Sequence, residues 1–62
     1  MTMKTPEEQA AIEMRREYGR SKKLFVKRET GTPGMGGWFA VYKDITRSGE
    51  IFSATKVGAV HV

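Results

Sequence analysis

The clearest alternation of apolar and polar positions runs from Trp38 to Val57. Two runs, Trp38 to Asp44 and Glu50 to Val57, are rich in aromatic and β-branched residues and flank a polar turn ending in glycine. That pattern predicts an antiparallel hairpin. Arg47-Ser48-Gly49 suits a three-residue loop, a type I turn followed by Gly49 in the left-handed region. Such a loop places Thr46 opposite Glu50, Tyr42 opposite Ala54 and Ala40 opposite Lys56. One face then collects Trp38, Ala40, Tyr42, Asp44, Phe52, Ala54 and Lys56. The other collects Phe39, Val41, Lys43, Ile45, Ile51, Ser53, Thr55 and Val57. A slip of one residue would scramble these sets, and both are substantially apolar.

Upstream, the period changes to that of a helix. Thr5-Pro6-Glu7-Glu8 is a helix start: Thr5 caps, Pro6 is preorganised for the first helical position, and Glu8 completes a capping box. The helix is expected from Pro6 to about Tyr18, with Gly19 as a left-handed stop and arginines in the last turn. Ala10, Ala11, Met14 and Tyr18 share one stripe, mostly of small side chains that allow close approach to a sheet. Lys23 to Thr30 reads as the first strand, with Leu24 and Val26 facing one way and Phe25 and Lys27 the other. A seven-residue connector, Gly31 to Gly37, carries four glycines. Gly58 to Val62 reads as a short C-terminal edge strand or a tail. The expected fold is therefore α+β: an N-terminal helix packed on a three-stranded antiparallel meander.

Composition narrows the class. Sixty-two residues make one small basic domain, 1–62, near the lower limit for folding without staples or partners. There is no cysteine, which excludes disulfides and thiolate metal sites and suits a reducing compartment. No apolar run approaches the roughly 18 residues of a membrane span. The N-terminus has no secretory h-region, so the chain reads as a complete short cytoplasmic protein.

Charge changes the picture most. Residues 15 to 28 hold Arg15, Arg16, Arg20, Lys22, Lys23, Lys27 and Arg28 against Glu17 alone, so this segment is +6 in a chain of net +4. A concentration of this kind attracts phosphates or acidic protein surfaces, or else simply keeps a small domain soluble. Catalysis has little to draw on. His61 is the sole histidine and has no acid neighbour, Ser48 and Ser53 have no identifiable base, and no metal-ligand spacing exists. The glycine connector lacks the Gly-Lys-Ser/Thr and following helix of a phosphate loop. Its functional version is a mobile tip with Met35 as the apolar contact.

Two arrangements of the sheet faces give two surfaces. The packing favoured by a small-residue helix stripe makes Trp38, Tyr42 and Phe52 the core, with Ala40 and Ala54 as the hollow where the helix docks. That would expose Lys43, Arg47, Ser53 and Thr55 as groove readers. In the other arrangement the helix takes the aliphatic face, leaving Trp38, Tyr42 and Phe52 outside beside Lys56 as a platform for unpaired bases. The functional expectation is a small non-enzymatic module binding DNA or RNA through the Arg15–Arg28 cluster, Lys43, Arg47 and Lys56. The alternative is a protein-binding modulator that docks on a larger enzyme or polymerase through a sheet face or edge. Its partner would be an acidic protein surface, and a second copy of the chain could equally cover an apolar face. No cofactor, metal or membrane enters either reading.

Overall fold

The computed structural model describes residues 4–62. Residues 1–3, part of the segment read above for a leader, lie outside that range. Helix α1 (Pro6–Tyr18) precedes strands β1 (Leu24–Arg28), β2 (Trp38–Asp44) and β3 (Ala54–His61). The strands form one antiparallel sheet in the order β1-β2-β3. The helix-plus-meander architecture is the expected one, and residues 58–61 continue β3 instead of making a fourth strand.

α1 begins as its sequence directs. The Thr5 hydroxyl accepts the Glu8 amide at 3.2 Å, Pro6 opens the first turn, and Glu7 and Glu8 sit at the positive end of the helix dipole. At the other end Gly19 takes φ 95° and ψ 179°. This is not the left-handed stop expected from sequence but an extended positive-φ conformation that glycine alone adopts easily. It turns the chain sharply away while the Gly19 amide still reaches the Arg15 carbonyl at 3.1 Å. Ala10 and Met14 are the buried helix residues, so the anticipated stripe does dock.

The register of the hairpin departs from expectation. Tyr42 lies opposite Lys56 and Ala40 opposite Ala59, where the short loop had placed Ala54 and Lys56. Val41 pairs with Gly58 and Tyr42 with Lys56, so Val57 is an extra, bulged residue. Sliding β3 toward the C-terminus brings Val60 opposite Phe39 and joins Gly58–Val62 to the sheet, with Gly37 and Val62 exchanging backbone hydrogen bonds of 2.9 and 3.0 Å. Residues 45–53 become a broad loop. Within it Glu50 donates to the Arg47 carbonyl at 3.0 Å, and Gly49, at φ 92°, occupies the third position of that turn. The Asp44 carboxylate accepts the Thr46 amide, and the Thr46 hydroxyl accepts the Ser53 amide, both at 2.9 Å.

The core lies on the aliphatic face. Ala10, Met14, Phe39, Val41 and Val60 are buried together, with Leu24, Val26 and Val62 packed against them. The packing that would have made Trp38, Tyr42 and Phe52 the core is therefore overturned: Trp38 is 50% exposed and Phe52 63%. Phe39 supplies the bulk that a small-residue helix stripe needs. Ile45, Ile51 and Val57, expected on the aliphatic face, are exposed in the loop and the bulge. Gly58 has a steric role, because any Cβ there would run into the Tyr18 hydroxyl and ring. The one aromatic of α1 thus lies on bare backbone of β3.

Candidate nucleic-acid interface

With the helix on one side, the other side of the sheet has no cover from any described element. Pairing fixes what it presents. Phe25 faces Tyr42 across β1 and β2, and Lys27 faces Ala40. On the other flank Trp38 faces His61, Ala40 faces Ala59 and Tyr42 faces Lys56. Since strand side chains alternate, all of these stand on the open face.

Aromatic rings gather at its two ends. At one end Phe25 and Tyr42 are stacked, with centroids 5.6 Å apart and planes 15° from parallel. Phe52 leans in from the broad loop at 6.1 Å from Phe25, and a shallow groove runs between these rings, Lys27, Ser53 and Ala54. At the other end Trp38 meets His61 at 4.8 Å in a tilted pair. Between the ends the face is low, because Ala40 and Ala59 lie there. Lys56 reaches across β2 to the Glu29 carboxylate, with both oxygens at 3.0 Å. Ala40 is fully buried although it points away from the helix.

The basic segment does not stay together as one stripe. Arg15, Arg16 and Arg20 surround Ile12 in a depression on the helix, with Arg16 also 3.4 Å from Glu13. Lys22 and Lys23 lie exposed in the turn that leads into β1. The Lys23 carbonyl accepts the Asp44 amide at 2.8 Å, which places this turn at the Phe25–Tyr42 end of the sheet. Lys43 is exposed on the helix side at that same end, where it pairs with Leu24 and Thr55. Arg47 is exposed in the broad loop beyond it. Lys27 stands on the aromatic face.

Arg28 goes elsewhere. Being next to Lys27 in a strand, it points to the opposite face, where its guanidinium lies 4.5 Å over the Phe39 ring. It donates to the Met35 carbonyl at 2.6 Å, the Thr30 carbonyl at 2.9 Å and Glu7 Oε1 at 2.6 Å. Glu7 Oε1 also accepts the Gly34 amide at 3.2 Å. The Arg28 guanidinium, and after it the Gly34 amide, hold the Glu7 carboxyl below its ordinary range. Thr46, through its hydroxyl and then its amide, does the same for Asp44. This clasp ties the glycine connector to the start of α1 and keeps Arg28 occupied within the fold.

Of the residues singled out from sequence, the structure brings Trp38, Tyr42, Phe52, Lys27 and Lys56 onto one face. It sets Lys22, Lys23, Lys43 and Arg47 near one end of the sheet. Arg15 and Arg16 remain on the helix, with Arg20 just past its end, across the sheet from the rings. Sequence reasoning missed Phe25 and His61 as members of the aromatic face. Alternation alone could have found Phe25 once Val26 was assigned to the core, whereas His61 depends on a bulge that no local signal announced. Among the described residues no group of three or more His, Asp or Glu side chains could hold a metal ion, and no helix is long and apolar enough to cross a membrane. Comparison with protein-family models, with curated proteins and with solved structures finds no match to this chain.

Proposed function

We propose that the protein is a small non-enzymatic nucleic-acid-binding module. The observation that carries this reading is a sheet face free of the helix that presents Phe25, Trp38 and Tyr42 together with Lys27 and Lys56, with Phe52 leaning on Phe25 from the loop. Cations and flat rings on one surface match the two chemistries of a polynucleotide, phosphate charge and base π-face. The lysines of the turn before β1 extend the positive surface past the end of the sheet. Phosphate contacts of this kind position a ligand without reading its sequence.

Titration of labelled oligonucleotides across a salt series is the test. Affinity should be strongest at low salt and fall linearly in log–log form, with a slope of about −0.7 to −0.9 per phosphate neutralised. Replacing Lys22 and Lys23 by glutamine should lower that slope. Binding that is absent at low salt, or that ignores salt, rules the reading out. The exposed edge of β3 favours a second reading, a protein partner added as a further strand. Its mark would be a complex with an acidic protein that survives nuclease treatment and is blocked by proline at an outward-facing amide of β3.

A further inference from the structure

Resting on the nucleic-acid reading above, we infer that the ligand is single-stranded and that the sheet holds it by stacking unpaired bases at two separate stations. The first station is the Trp38–His61 pair and the second is the Phe25–Tyr42 stack. Trp38 and Tyr42 are four residues apart on one strand, about 13 Å at roughly 3.3 Å per residue. A polynucleotide advances about 3.4 Å per base within a stacked duplex strand and further when extended, so roughly three to five nucleotides, counting both stacked ends, span the stations.

A duplex cannot use this arrangement, because its bases are stacked on one another and present only their edges and backbone. An unpaired strand offers every base face, and stacking on aromatic rings tolerates any sequence. The surface between the stations supports the same occupant. Ala40 and Ala59 leave a low saddle that the Lys56–Glu29 bridge crosses, with Lys27 beside it, so phosphates joining the two stacked bases would lie over cations. Lys22 and Lys23 continue the positive surface beyond the Phe25–Tyr42 station, where the strand would leave the sheet. In the free protein Lys56 is held by Glu29. A phosphate arriving at the saddle competes with that carboxylate, so Glu29 acts as a built-in rival for the ligand.

The test uses the full chain and the fluorescence of Trp38, its only tryptophan. The probes are an oligothymidylate, an abasic deoxyribose-phosphate strand of the same length, and a duplex of that length. The inference expects the intact single strand to quench Trp38 and to bind at least about tenfold more tightly than either control. Trp38→Ala and Tyr42→Ala should each weaken it about tenfold or more while leaving the salt slope unchanged, and Trp38→Phe should restore most of the loss. Glu29→Gln should tighten binding a few-fold. Trp38 quenching needs no variant, so a misfolded substitution does not cost the answer. Equal binding of all three probes with unmoved fluorescence overturns the stacking inference and leaves the nucleic-acid reading standing. Failure of every probe to bind at low salt removes both. A concentration-dependent dimer that Trp38→Ala dissolves overturns the inference as well, by giving the face to a second copy.

Discussion

Trp38 and Phe39 are neighbours in sequence and belong to different worlds. Phe39 is 1% exposed between Ala10, Met14 and Val41, while Trp38 is half in solvent against His61. Lys27 and Arg28 repeat the contrast one strand away: Lys27 is exposed on the open face, and Arg28 is clasped by the carbonyls of Thr30, Met35 and Gly36 and by Glu7 on the covered one. The two faces differ in what their side chains are made of. Aliphatic groups and one ring interlock with a helix stripe of small residues, and the remaining rings pair with one another on the other side. The lesson is that one helix settles a single face, and the aliphatic side fits it better because Ala10 leaves room for Phe39.

Truncating the two neighbours in turn gives the largest expected effect. Phe39→Ala should cost about 3–5 kcal/mol by leaving a cavity, enough to unfold a domain of this size in mild urea. Trp38→Ala should change stability by less than about 1 kcal/mol, and native Trp38 should be open to acrylamide quenching. Comparable losses from both would erase the distinction between covered and open faces.

The adjacent cations come next. Arg28→Met should cost about 2 kcal/mol in urea denaturation, since the carbonyls of Thr30 and Met35 lose a charged donor. Lys27→Met should be close to neutral for folding and should show its effect in the oligonucleotide titration.

Gly58→Ala tests the contact between β3 and the end of α1. A methyl group at this position forces the Tyr18 ring aside. Because that ring is partly exposed and can swing outward, the expected cost is about 1 kcal/mol, read from the thermal midpoint.

The smallest effect concerns pH. In the folded chain Arg28 holds the Glu7 carboxyl below its unfolded value. The stability this contributes is complete above the unfolded carboxylate pKa, about 4.3, and is lost as pH falls through the lower folded value. Urea midpoints measured downward from neutral pH should therefore drop on acidification, and Glu7→Gln should flatten the drop. An unchanged profile in Glu7→Gln would show that the clasp adds nothing to the covered face.

Local sequence set three of the four segments, α1, β1 and β2. Thr5, Pro6 and Gly19 bound the helix through backbone groups within a few residues, and the apolar runs at 24–28 and 38–44 form strands whatever lies across from them. Which way the sheet faces, and how β3 is aligned, came from packing between distant segments. Both faces were apolar enough to attract a helix, so local periodicity could not choose. The choice was made by steric fit, with Phe39 against Ala10 and Met14, and Tyr18 against a glycine. Alignment followed from the same cause. The C-terminal run Gly58 to Val62 pairs well only if the hairpin gives up its tight turn and accepts a bulge at Val57. Pairings between residues about twenty positions apart, with the Tyr18–Gly58 contact across forty, outweighed the turn's local preference and left the aromatic side without a helix.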